Sequence, residues 1–158
     1  TVPQLGNRFG YAIDLDVDRV LIGAHLTDDA GVADIGAVYV FEREDSSWVQ
    51  KTILQPKNKT EASLFGFNVD LNDDIALITT GYKDATKNRT VVVFEKNTQG
   101  IWSQLQSLEA SDQISGPSDW FGLGNEGQDS IAQTATELLI GSSWADVQKG
   151  KVYVFKRP

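Results

Sequence analysis

The sequence predicts an all-β fold built from three repeats of one unit. A Phe-Gly pair recurs at a constant spacing of 56 residues, at Phe9-Gly10, Phe65-Gly66 and Phe121-Gly122. An apolar run and then a run ending on an aromatic residue follow each pair, as at Val20–Gly23 and Val38–Phe41 in the first unit. No stretch of ten or more residues shows a helical period. A fixed period of this length is typical of repeat architectures, in which neighbouring units bury a core together.

The first unit divides into four predicted strands. Gly10–Leu15 alternates apolar and polar residues, as a half-buried strand does. Arg19–Ala24 is continuously apolar in its middle, so we expect both of its faces to be buried. Ala37–Arg43 is rich in β-branched and aromatic residues, and Trp48–Leu54 alternates again. This order predicts four antiparallel strands per unit.

The second unit repeats this order and the third stops early. The second has predicted strands at residues 65–71, 75–80, 90–96 and 101–108. The third runs from the last Phe-Gly pair through predicted strands at 138–141 and 150–156 and lacks a fourth. We therefore expect a single repeat domain over residues 1–158, with units at about 8–63, 64–119 and 120–158. The phenylalanines of the three Phe-Gly pairs are predicted to form the core between units.

Four strands per unit suit either a β-propeller blade or one third of a β-trefoil. The motif favours the first. Phe9-Gly10, Leu21-Ile22-Gly23-Ala24 and Gly36–Phe41 resemble the FG-GAP repeat of integrin-type β-propellers. The resemblance covers essentially the whole chain, although the second unit has Thr79-Thr80-Gly81 in the Gly-Ala position. It implies FG-GAP-type propeller blades, and a β-trefoil-like fold stays the alternative.

Three units are too few to close a propeller, because these rings usually have four to eight blades. One interpretation is that the chain is part of a larger propeller. Another is that two chains form a homodimer and complete one six-bladed ring, since unpaired terminal edges favour pairing.

Composition excludes several classes of function. The chain has 22 acidic and 14 basic residues and a net charge of −8, without the clustered basic residues that nucleic acid binding requires. Without cysteine it has no disulfides, thiol catalysis or cysteine metal sites. No apolar run approaches the roughly 20 residues of a membrane span, so membrane insertion is not expected. His25 is the single histidine and no nucleophile motif is present, so no catalytic residues are predicted.

Acidic residues between the first two strands are candidate metal ligands. In FG-GAP repeats, calcium loops of the form Asp-x-Asp/Asn-x-Asp-Gly lie at this place, and alternating oxygen ligands suit a hard cation. Here Arg19 and Ile22 occupy the positions of the expected glycine and further acid. The other interpretation is a turn that Asp and Asn stabilise by accepting backbone hydrogen bonds. Calcium is the only cofactor considered, and its candidate ligands are Asp14, Asp16, Asp18, Asp70, Asn72 and Asp74, with a weaker set at Glu126, Gln128 and Ser130.

Two further groups are candidate ligand contacts. Asp28, Asp84 and Asp146 each stand six residues beyond the isoleucine of the second strand, so they are expected on one face of the assembly. They equally suit a repeated Asx turn. Trp120 and Trp144 do not follow the repeat, so no shared packing role explains them.

The resemblance therefore implies a non-catalytic, extracellular or cell-surface binding or adhesion module that recognises a protein or a glycan. The alternatives are an accessory propeller segment of a larger secreted enzyme, and a purely structural or oligomerising repeat.

Overall fold

The computed structural model describes residues 4–81, 88–111, 120–123 and 130–158. Within these ranges the chain forms two four-stranded sheets and one three-stranded sheet, all antiparallel. Sheet 1 contains β1 (Ile13–Asp16), β2 (Arg19–Ala24), β3 (Ala37–Glu44) and β4 (Ser47–Leu54). Sheet 2 contains β5 (Val69–Asn72), β6 (Ile75–Thr79), β7 (Val91–Lys96) and β8 (Trp102–Leu108). Sheet 3 contains β9 (Ile131–Gln133), β10 (Glu137–Ser142) and β11 (Lys151–Lys156), with helix α1 (Ala145–Gln148) between the last two.

Each sheet is a meander, in which consecutive strands pair side by side. The order is β1-β2-β3-β4 in sheet 1 and β5-β6-β7-β8 in sheet 2, and β10 lies between β9 and β11 in sheet 3. The register shifts at Val40/Phe41 in sheet 1 and at the corresponding Val93/Phe94 in sheet 2. The predicted all-β class is confirmed, and the described part of the third unit has three strands. The described strands form no closed barrel.

In the first two units the first strand is shorter than the sequence predicted. Strand β1 begins at Ile13 instead of Gly10, and β5 begins at Val69 instead of Phe65. The glycine of the Phe-Gly pair causes the difference, because Gly10 and Gly66 have φ angles of +90° and +88°. This left-handed conformation interrupts a strand and is favourable only for glycine.

Sheets pack face to face, and each interface has its own apolar core. The core between sheets 1 and 2 combines Leu21, Val38, Val40 and Leu54 of sheet 1 with Phe65, Val69, Leu71, Ala76, Ile78, Val92 and Phe94. The core between sheets 2 and 3 combines Ile75, Leu77, Val91, Val93 and Leu108 of sheet 2 with Ala110, Phe121, Ile131, Leu138 and Ile140. Sheet 2 is therefore buried on both faces.

The repeat predicted that Phe9 lies in a core between units, but the structure places it on the surface. It is 39% exposed, whereas Phe65 and Phe121 are 0% and 1% exposed. The difference comes from position in the stack. Phe65 and Phe121 pack against the preceding sheet, whereas sheet 1 has no preceding sheet in the described chain. The same cause leaves Val20 and Ile22 of β2 only half-buried, although both faces of this strand were expected to be covered.

The meander separates the connections into two edges. The tight turns after the first and third strands of a sheet lie at one edge, which we call the turn edge. The longer connections after the second strands lie at the other, the loop edge, together with the Phe-Gly pairs. The backbone N–H groups of Gly10, Gly66 and Gly122 donate to carbonyls near the ends of the second strands, those of Gly23, Thr79 and Gly141. No helix among the described residues is long and apolar enough to cross a membrane.

Candidate functional site

The acidic residues of the first unit join sheet 1 to sheet 2 at the turn edge. Asp14 Oδ2 accepts a hydrogen bond of 2.6 Å from the backbone N–H of Leu71. Asp16 Oδ2 accepts one of 2.9 Å from the backbone N–H of Asp73. Strand β5 is the first strand of sheet 2, so its outward N–H groups have no strand partner on that side. Asp14 therefore supplies an acceptor for an edge N–H group of β5 and Asp16 supplies one for the turn after β5, which is a structural role between units.

Basic side chains share the same edge. The Arg19 guanidinium donates to Asp74 Oδ1 at 2.9 Å and lies 3.8 Å from Asp16 Oδ2. Lys96 Nζ donates to Glu42 at 2.7 Å. Both contacts cross from one sheet to the other, so the turn edge carries an ion-pair network between sheets 1 and 2.

The second unit is joined to the third in a related way. Arg157 donates to the side-chain oxygen and to the backbone carbonyl of Asn72, both at 2.8 Å. Gln133 Nε2 donates to the backbone carbonyls of Asp70 and Ile75. Asn72 is thus an acceptor for an arginine in the neighbouring unit.

The candidate calcium ligands are therefore near each other, with protein donors between them. Asp14, Asp16, Asn72 and Asp74 accept hydrogen bonds from backbone N–H or guanidinium groups, and Asp18 lies 3.9 Å from Arg43. In the part of the chain that the structure describes, no group of three or more acidic or histidine side chains is arranged to hold a metal ion. Glu126 and Gln128 lie outside the described residues. The calcium site and the acidic turn therefore stay the two interpretations of these residues, and a melting experiment separates them.

The aspartates that follow the second strands are at the loop edge. Asp28 Oδ1 accepts a hydrogen bond of 2.8 Å from the backbone N–H of Asp34, which closes the loop between β2 and β3. Asp146 lies in the first turn of α1, and its carboxylate is 3.5 Å from Lys149 Nζ. Asp84 lies outside the described residues. Asp28 and Asp146 therefore share an edge of the molecule but have different local structures.

The structure brings Trp120 and Trp144 together, although 24 residues separate them in sequence. Their rings are stacked, with centroids 5.8 Å apart and an interplanar angle of 19°. The Arg89 guanidinium lies 5.1 Å from the centroid of the Trp120 ring. Stacked indoles and a cation over an indole face are both favourable contacts. We call Arg89, Trp120 and Trp144 the aromatic stack.

A hydrogen bond and the neighbouring strand position Arg89. Its Nε donates to the backbone carbonyl of Gly81 at 3.3 Å, and it lies two residues before the start of β7. Burial lowers the pKa of Arg89 from its usual range. An arginine still carries its charge at neutral pH, because its ordinary pKa is far higher. The stack therefore presents a fixed positive charge beside two indole rings.

A second aromatic group lies at the loop edge between sheets 1 and 2. The His25 ring contacts Tyr11, with centroids 4.0 Å apart, and Phe67, at 5.2 Å. His25 follows β2 and is buried, with 3% of its surface exposed. Tyr11 and Phe67 follow Gly10 and Gly66 in the repeat, so the Phe-Gly motif also places these rings.

Sequence reasoning selected both tryptophans as candidate ligand contacts because they do not follow the repeat, and it missed Arg89. The arginine is 31 residues before Trp120, and no local pattern connects them. Only the packing of sheet 3 on sheet 2 brings the two side chains together.

Residues 4–41 match the model of the FG-GAP repeat family. The match spans the Phe-Gly pair, β1, β2 and the first part of β3, so the predicted resemblance to the FG-GAP repeat is confirmed for these residues of the first unit. An FG-GAP repeat suggests a repeat module of the binding or adhesion type. No curated protein matches the chain.

Proposed function

We propose that this chain is a non-catalytic binding module of the extracellular or cell-surface type, whose loop edge recognises a protein or a glycan. Its three sheets would be successive blades of an FG-GAP propeller. Two facts support this assignment: the family match of the first unit and the stacking of consecutive meander sheets through apolar faces.

The aromatic stack is the observation that carries the proposal. The sheets repeat closely, with Phe65 and Phe121 at equivalent places in equivalent cores. Trp120 and Trp144 have no such equivalents, and they lie at the edge where the longer connections run. Binding residues are concentrated on loops that a rigid scaffold positions.

The chemistry of the stack suits recognition of a flat apolar surface next to a negative or polar group. Both tryptophans are half-buried, so part of each indole is accessible. Indole rings bury large areas at little cost in conformational entropy, and the guanidinium of Arg89 offers several donors. A pyranose ring with its hydroxyl groups has these properties, as does an aromatic side chain next to a carboxylate.

A binding screen with paired tryptophan variants tests the proposal. Tryptophan fluorescence of the intact chain would be followed against a panel of glycans and extracellular proteins. We expect at least one member to change the emission, and Trp144→Ala to weaken that binding by about tenfold or more, as loss of a central aromatic anchor does.

The matched control is Trp48→Ala, which removes a 40% exposed tryptophan beside the turn edge. This variant should bind as the unchanged protein does. Equal losses in both variants, or no response to any member of the panel, would contradict the role of the stack.

A further inference from the structure

Two segments of the chain carry the sequence Asn-x-Ser/Thr, at which a secretory pathway can attach an oligosaccharide to the asparagine. They are Asn58-Lys59-Thr60 and Asn88-Arg89-Thr90. The motif is short, so its surroundings in the folded chain decide whether it is usable. All six residues belong to the described part of the chain, and the two motifs have different surroundings.

Asn58 lies in the connection between the last strand of sheet 1 and the first strand of sheet 2. Strand β4 ends at Leu54 and β5 begins at Val69, so residues 57–60 belong to neither sheet. The Asn58 side chain is exposed. An oligosaccharide is bulky and hydrophilic, and it requires a surface position of this kind.

The protein holds the residues on both sides of Asn58. The Lys57 backbone N–H donates to Gln104 Oε1 at 2.8 Å, and Lys57 Nζ donates to the Gln104 carbonyl at 3.0 Å. Lys59 forms an ion pair with Asp29, in the loop between β2 and β3. Asn58 is therefore an exposed residue between two anchored ones, and a group on its amide would displace none of these contacts.

The hydroxyl group of the third residue is part of the motif that the transferring enzyme reads. Among the described residues, the Thr60 hydroxyl forms no hydrogen bond. Thr90 Oγ1, in contrast, lies 3.2 Å from Thr80 Oγ1 in a hydrogen bond, and the Thr90 backbone N–H donates to Thr80 Oγ1 at 2.9 Å. The second motif thus continues the pairing of β6 with β7, and the first is the more accessible one.

The two motifs also differ in their relation to the aromatic stack. Asn88 directly precedes Arg89, whose guanidinium lies over the Trp120 ring. An oligosaccharide on Asn88 would stand next to the surface to which we assign ligand binding. Asn58 belongs to the connection between sheets 1 and 2, whereas the aromatic stack combines residues of the second and third units.

We propose that Asn58 is a site of N-linked glycosylation, an inference that rests on the extracellular location in the proposed function. The co-substrate is an oligosaccharide linked to a polyisoprenyl diphosphate. Nδ2 of Asn58 forms a bond to C1 of the first sugar, and the bond between C1 and the diphosphate oxygen breaks. The polyisoprenyl diphosphate leaves with the electron pair, and one Nδ2 proton is released to solvent.

The test is translation of the intact chain, behind a cleavable signal peptide, with microsomes that contain this donor. Only the chain that is protected from added protease is scored, since this fraction has entered the lumen. We expect a mass increase that an N-glycanase removes. The enzyme converts a glycosylated asparagine to aspartate, and mass spectrometry should locate this change at position 58. A known secreted glycoprotein, translated in parallel, verifies that the microsomes are active.

Single variants locate the site. Asn58→Gln removes the acceptor and Thr60→Ala removes the hydroxyl, so each should abolish modification at position 58. Thr60→Ser keeps the hydroxyl and should keep the modification. The matched control is Asn88→Gln, which should leave modification at position 58 unchanged. Because Asn58 is exposed, Asn58→Gln should unfold in urea as the unchanged chain does.

Protected chain that is unmodified at Asn58 would overturn the inference, whatever is found at Asn88. That result would leave the proposed binding function standing, because the tryptophan screen uses the unmodified chain. A silent screen together with modification at Asn58 would contradict the role of the aromatic stack and support the glycosylation site. The two experiments therefore fail independently.

Discussion

Asp14 illustrates how a residue that resembles a metal ligand acts as a connection between sheets. Its carboxylate accepts hydrogen bonds from the backbone N–H groups of Leu71 and of Leu15. The sequence suggested either a calcium ligand or a local turn. The structure shows contact with the next unit, which local sequence does not reveal because the partner is 57 residues away.

Replacement of Asp14 measures this connection. Asp14→Ala removes the acceptor of a partly buried N–H group, which should lower the free energy of unfolding by about 1–3 kcal/mol. Asp18→Ala is the control: its contact with Arg43 is 3.9 Å and both side chains are more than half exposed, so the loss should stay below about 1 kcal/mol. Urea denaturation measures both. Equal effects would show that the bond to Leu71 contributes nothing specific.

Calcium dependence is the second test at this scale. The oxygens of Asp14 and Asp16 already accept backbone hydrogen bonds, and Arg19 lies between Asp16 and Asp74. We expect a thermal melt to give the same midpoint with calcium and with a chelator. A midpoint several degrees higher in calcium would contradict this expectation and restore the acidic turns as a calcium site, since a ligand that binds the folded state stabilises it.

At the scale of the element, the Phe-Gly pair lets one sheet pack closely on the preceding one. A Cβ atom on Gly66 would lie 2.7 Å from the carbonyl oxygen of Ala37 and 3.0 Å from Val38. The pair thus combines a left-handed turn with a close approach to the preceding sheet. Strand bounds followed well from alternation and β-branched residues in β2 and β3, but not in β1, where the left-handed glycine delays the strand.

Alanine substitution at two equivalent glycines separates the energetic cost of the left-handed turn from the cost of the close approach between sheets. Gly10 and Gly66 have nearly the same φ, but nothing lies within 4 Å of a Cβ atom on Gly10. Gly10→Ala in the monomer should cost only the left-handed conformation, about 1–2 kcal/mol. Gly66→Ala should cost clearly more, because backbone of the preceding sheet must move. Chemical denaturation at low protein concentration compares the two, and equal costs would contradict a close approach at Gly66.

At the scale of the whole molecule, the position of a unit in the stack decides what its residues do. Phe9 and Phe65 occur in the same motif, yet one is 39% exposed and the other fully buried. Among the described residues, sheet 2 has neighbours on both faces and sheets 1 and 3 on one each, so equivalent residues are buried in the middle sheet and exposed in the outer ones. Repeat proteins depend on neighbours in this way, because each unit leaves apolar surface that the next one covers.

The sequence by itself determined the all-β class, the three units, most strand positions and the FG-GAP character of the first unit, because these follow from local periodicity and from a motif within one unit. Tertiary structure alone decided that Asp14 and Asp16 bond to the next sheet, that Arg89 lies over Trp120, and that Phe65 is buried where Phe9 is exposed. These features depend on how one sheet lies on another, and contacts between residues far apart in the chain leave no pattern along a single sequence.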